Sequence, residues 1–78
     1  MTKTTHGERL SREEAADRLQ ELAAQLRTAD ADVAVGNKTV RLSPGEQVSY
    51  EIDVREESSF LRGARESVEL ELEWEPGE

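Results

Sequence analysis

The chain has 78 residues, no cysteine and a formal net charge of −8, from 18 acids against 10 bases. That length is one small domain with a limited core. Missing cysteines exclude disulfides and thiolate metal sites, and the acidic balance argues against a nucleic-acid partner, whose phosphates need a basic patch.

The bases are uneven. Only Lys3 and Lys38 are lysines, and the other eight are arginines. Hyperthermophile composition enriches Lys together with Glu; here Glu is abundant and Lys scarce. The pattern reads as adaptation to high salt, where dense carboxylates stay hydrated and screened. An ordinary acidic bacterial protein is the alternative. Met1 to Gly7 is polar and shows no apolar leader, and no apolar run approaches a membrane span. The expectation is a cytoplasmic protein with no membrane partner.

Residues 1–9 read as a disordered tail. They hold the sole histidine, His6, which is expected to be a solvated residue rather than a ligand or base. Residues 10–75 form the domain, and 76–78 are expected to fray.

Ser11-Arg12-Glu13-Glu14 is a capping box, in which the Ser11 hydroxyl accepts from the Glu14 amide and the Glu14 side chain returns to the Ser11 amide. Leu10 precedes it as half of a hydrophobic staple. Ala15, Leu19, Leu22 and Leu26 then recur at helical spacing, widened by Ala16 and Ala23. The spacing predicts a helix from about Arg12 to about Arg27, with Glu14 and Arg18 as an i, i+4 pair.

Val33 and Val35 share one face of a first short strand, and Val40 and Leu42 one face of a second. Opposed residues share a face, so the loop between them has an even length. A four-residue loop pairs Val35 with Val40 and Val33 with Leu42. A two-residue loop pairs Val33 with Val40 but sets Lys38 against Val35. The first is favoured. Ser43-Pro44-Gly45-Glu46 follows as a turn. Gln47 to Arg55 is a third strand, with Val48, Tyr50, Ile52 and Val54 on one face. The same parity pairs Leu42 with Val48 and Val40 with Tyr50. Glu56 to Glu66 reads as a longer connection. Phe60 within it either folds over the open end of the core, the favoured reading, or stands out as a small apolar interaction spot.

The last strand alternates without a slip. Val68, Leu70, Leu72 and Trp74 make one face, and Glu69, Glu71, Glu73 and Glu75 the other. One helix and four one-sided strands predict an α+β domain in two layers. The helix packs on one face of a four-stranded antiparallel sheet, an αββββ meander.

The opening Ser11 to Leu22, the Val-Gly-Asn hairpin region and the closing Val68 to Trp74 together resemble the amphi-Trp domain family. The likeness covers roughly residues 8 to 75, and the terminal strand is its most specific part. The resemblance implies a haloarchaeal cytoplasm. It implies no activity and no catalytic residue. Where richer members carry further aromatics, this chain has Leu70 and Leu72.

No nucleophile elbow, P-loop or dinucleotide fingerprint is present. The serines have no histidine beyond His6 to serve as base. The Glu69-Glu71-Glu73 row sits on an open strand face with nothing to shift its pKa values. The expectation is no enzyme, no catalytic residue and no cofactor. If Val54 faces Val68, then Asp53 faces Glu69 and Glu51 faces Glu71. These four are weak metal candidates, and the expected behaviour of so flat a patch is a diffuse ion atmosphere. Trp74 is expected in the core, with an aromatic anchor for association as the alternative. Two functions follow. The first is a small interaction or structural module that self-associates, with a homodimer or an unidentified protein as partner and Phe60 and Trp74 as interaction residues. The second is an accessory domain binding a cation or small cationic ligand on the acidic sheet face.

Overall fold

A computed structural model describes residues 2–77. The order of elements is a helix, α1 (Arg12–Leu26), and four strands: β1 (Ala31–Val35), β2 (Lys38–Leu42), β3 (Ser49–Ser59) and β4 (Gly63–Glu73). All strand pairing is antiparallel, in two separate sheets, β1-β2 and β3-β4.

The helix starts where the capping box places it. The Glu14 amide donates to Ser11 Oγ at 3.1 Å. The reciprocal contact differs, since the Ser11 hydroxyl donates to Glu14 Oε1 at 3.0 Å. Arg27 caps the other end through backbone bonds. The Thr28 hydroxyl donates to the Gln25 carbonyl at 2.8 Å and to the Asp30 carbonyl at 2.6 Å. The Asp32 amide then donates to Gln25 Oε1 at 2.9 Å, which ties the helix end to β1. Ala31, at that junction, is the one fully buried apolar residue among those described. Arg18 does not pair with Glu14 as expected; its Nη2 lies 3.4 Å from Glu8 Oε1.

The β1-β2 hairpin takes the register that was not favoured. Val33 pairs with Val40, Ala31 with Leu42 and Val35 with Lys38, around the two-residue turn Gly36-Asn37. Two physical reasons favour it. Gly36 has φ of 66° at the first turn position, as a II′ hairpin requires. The shorter loop also sets Asp32 opposite Arg41, where Arg41 Nε lies 3.0 Å from Asp32 Oδ1. That contact holds the Arg41 guanidinium above its ordinary pKa, first by hydrogen bonding to Asp32.

A Cβ at Gly36 would lie 2.7 Å from the His6 ring, and the positive φ already disfavours a side chain. Gly36→Ala is expected to cost roughly 1–2 kcal/mol. Thermal unfolding monitored by circular dichroism measures it. Adding His6→Ala should recover only the steric part.

The single four-stranded sheet does not form. β2 and β3 are not paired, so Leu42 does not meet Val48, nor Val40 Tyr50. The connection from Ser43 to Val48 is held elsewhere. The Gly77 amide donates to the Ser43 carbonyl at 2.9 Å, and a Cβ at Gly45 would lie 2.9 Å from the Glu75 carbonyl. This stretch lies against the chain's own C-terminal segment instead of turning β3 back along β2.

The expected connection from Glu56 to Glu66 is mostly strand. β3 runs on to Ser59 and β4 starts at Gly63, which leaves Phe60-Leu61-Arg62 as the loop. The Arg62 amide donates to Ser59 Oγ at 3.3 Å, and Gly63 supplies φ of 78°. A three-residue hairpin loop followed by a left-handed glycine is a preferred closure. The apolar alternation conceals this extension, because Glu56 and Glu66 occupy the inward parity there and face each other.

The outcome is an arm. Eleven paired residues per strand reach about 36 Å, whereas a 15-residue helix spans about 22 Å. The helix contacts β1 and makes no close backbone approach to β3 or β4. The molecule measures 51 × 25 × 25 Å, with a radius of gyration of 15.3 Å. A compact chain of this length would have a radius near ~11.5 Å.

Candidate functional site

The arm carries the features that any function must use. Its even-numbered face pairs Tyr50 with Leu72, Ile52 with Leu70 and Val54 with Val68. At the base this face meets the body. Leu70, Leu72 and Trp74 line one apolar cleft with Leu22 and Leu26 of α1, Val33 of β1 and Leu42 of β2. Leu72 and Trp74 are half-buried there. Trp74 thus sits where core was expected, as the side chain joining arm to body.

Further out the face is bare. Tyr50, Val54 and Val68 are 64 %, 64 % and 66 % exposed, and Ile52 and Leu70 are also exposed. These residues were expected beneath the helix, and the helix is too short and too far to one side to cover them. A helix of four turns cannot roof two strands of eleven residues, and the sequence pattern concealed that strand length.

Phe60, at the arm tip, is fully exposed at 103 %, and Leu61 is 90 % exposed. The favoured expectation, that Phe60 folds over the open end of the core, is corrected. The extended strands carry it far from the body. Phe60 and Trp74, the two interaction candidates, stand at opposite ends of the arm. Around the tip, Ser58 to Arg65 contains Arg62 and Arg65 and no acid, on a chain whose net charge is −8.

The opposite face of the arm is acidic. Glu51 stands across from Glu71 and Asp53 across from Glu69, in the expected register. Cβ atoms of opposed residues lie about 4.5–5.5 Å apart, and like charges so placed repel. Arg55 is opposite Ser67 and diagonal to Glu69. The ion pairs among the described residues lie elsewhere, at His6–Glu8, Arg18–Glu8 and Arg41–Asp32. No group of three or more His, Asp or Glu side chains among the described residues converges to hold a metal ion. Glu51, Asp53, Glu69 and Glu71 form two facing pairs on an open surface.

The segment before α1 is placed against the body. His6 lies over Gly36 and bonds Glu8, and Glu8 reaches Arg18. The Glu8 carboxyl is held below its ordinary pKa of 4.5, first by the His6 hydrogen bond. A depressed carboxylate contributes above its free value, and the contribution fades as pH falls through the lowered one. Acidification below the ordinary carboxylate range should therefore loosen this segment. The chemical shifts of His6 and Gly36, followed through an acid titration, check it; unchanged shifts would remove the tether.

Among the described residues no helix is long and apolar enough to cross a membrane. Comparison with known proteins adds one result. The Amphi-Trp domain model matches residues 2–78. The chain belongs to the Amphi-Trp domain family. In this Amphi-Trp chain the alternation of Val68, Leu70 and Leu72 with glutamates lies in β4, Trp74 follows directly after it, and this C-terminal half anchors the arm. No curated protein and no solved structure matches the chain.

Proposed function

We propose that this Amphi-Trp domain is a non-enzymatic interaction module that self-associates through the β3-β4 arm in a salt-rich cytoplasm. The uncovered β3-β4 arm, bare on its apolar face and unpaired along both strand edges, carries the reading. The chain exposes 7546 Å². A compact monomer of 8.7 kDa exposes about 4,700 Å². The excess, about 2,800 Å², is larger than the ~800 Å² each partner contributes to a standard stable interface. A second copy fits this requirement. Most of the arm's carboxylates lie on the opposite face, Glu56 and Glu66 being the exceptions, so two acidic copies can meet through the arm with most of their charge turned away.

Sedimentation in molar KCl over a wide concentration range tests it. A dimer is expected. A strict monomer at every concentration, with the arm still folded by NMR, overturns the reading.

A further inference from the structure

We infer that the second copy joins along the free edge of β4. The two arms then form one antiparallel sheet in the order β3-β4-β4′-β3′, with Val68 on the two-fold axis. This rests on the self-association reading and specifies its geometry.

The arm is a two-stranded sheet, so each strand has one unpaired edge. Beyond β3, no element among the described residues makes close backbone contact with β4. An open edge of eleven residues presents a row of unpaired amides and carbonyls, a template for another strand. A two-fold axis makes such pairing antiparallel and self-complementary. The edge must then pair with its own sequence reversed.

The charge pattern distinguishes the two edges. On β3, every two-fold register centred from Glu51 to Glu57 sets like charges together. Centring on Ile52 opposes Glu51 and the partner's Asp53. Centring on Val54 opposes Glu51 and the partner's Glu57. Centring on Glu51, Asp53, Arg55, Glu56 or Glu57 sets that residue against its own copy. β4 behaves differently, because on its odd-numbered face the first half, Gly63, Arg65 and Ser67, is small or basic and the second half, Glu69, Glu71 and Glu73, is acidic. Val68 is the midpoint of Gly63–Glu73, so centring there pairs the whole strand. Arg65 then faces the partner's Glu71, Ser67 faces the partner's Glu69, and Gly63 faces the partner's Glu73. On the apolar face Val68 meets the partner's Val68, and Ala64 meets the partner's Leu72. Glu66 lies beside the partner's Leu70. No like charges oppose each other anywhere in this register.

The pairing also relieves a defect within each chain. Glu71 is opposed by Glu51 inside the arm. In the dimer, the partner's Arg65 flanks Glu71 on its other side. The apolar row also becomes continuous, from Val54 through both Val68 residues to the partner's Val54.

The chain has no native cysteine, so one introduced cysteine can cross-link only between copies. Val68→Cys should form a disulfide-linked dimer on mild oxidation, since opposed Cα atoms in an antiparallel pair fall within disulfide range. Val54→Cys, one strand further from the axis, should not. Arg65→Glu and Glu71→Arg should each weaken the dimer roughly tenfold or more at moderate salt, and the double swap should restore it. A wild-type dimer that ignores both swaps, or that cross-links at Val54 and not at Val68, overturns this geometry and leaves self-association standing. Loss of the dimer in both single variants without recovery in the double overturns the register. A wild-type monomer under all conditions overturns both readings.

Discussion

The melting temperature of this chain is expected to rise by roughly 5–10 °C between dilute buffer and molar KCl. The cause is the register of the arm. Glu51 faces Glu71 and Asp53 faces Glu69, with no ion pair to any of the four among the described residues. In dilute buffer the screening length is ~30 Å, so these pairs repel each other and the rest of an acidic chain. At 1 M salt it falls to ~3 Å, shorter than the distance between opposed carboxylates, and the repulsion is largely gone. Glu69→Arg supplies the control. It turns the pair with Asp53 from repulsive to attractive, so it should raise the dilute-buffer melting temperature by several degrees and flatten its salt dependence. Calorimetry across a KCl series measures both. A melting temperature that stays put from dilute to molar salt would refute the electrostatic account.

Trp74→Ala should be the most damaging single truncation in the chain. Trp74 shares one cleft with side chains from the helix, both short strands and β4, and the described residues include only one fully buried apolar residue elsewhere. Burying a whole tryptophan is worth about 3–5 kcal/mol by truncation, and a half-buried one about 2 kcal/mol. A core this small holds few kcal/mol in total, so that loss is a large share of it. Urea unfolding followed by far-ultraviolet circular dichroism measures the change, because the variant has no tryptophan left to report. Phe60→Ala is the comparison. Phe60 contacts solvent at the arm tip and should shift stability by less than about 0.5 kcal/mol. If the two substitutions cost the same, the cleft does not join the arm to the body.

These two aromatics also mark how far the sequence could be read. Trp74 follows an uninterrupted alternation, and its half-buried place agrees with that pattern. Phe60 lies past Glu56 and Glu66, where charged residues fall on the apolar parity and the pattern stops reporting strand. The backbone pairs through that stretch regardless, because ladder hydrogen bonds do not require apolar side chains. A long strand therefore looked like a loop, and an exposed tip looked like a core lid. The turn at Gly36-Asn37 gave a similar ambiguity. Side-chain parity allowed two loops, and parity alone says nothing of the Asp32–Arg41 contact or of the backbone angle at Gly36.

The primary structure alone determined the local elements. The Ser11 cap, the leucine spacing of the helix and the period-two strands each depend on residues a few positions apart, so neighbouring side chains carry the information. It also determined which residues share each face of the arm, since parity follows from the pleat. Tertiary structure decided which strands pair and what lies over them. Those choices depend on lengths, on the Ser43–Gly77 backbone contact and on the reach of one short helix, quantities that arise only when distant segments meet. The arm's apolar face stayed uncovered for that reason, and the proposed association of two copies follows from it.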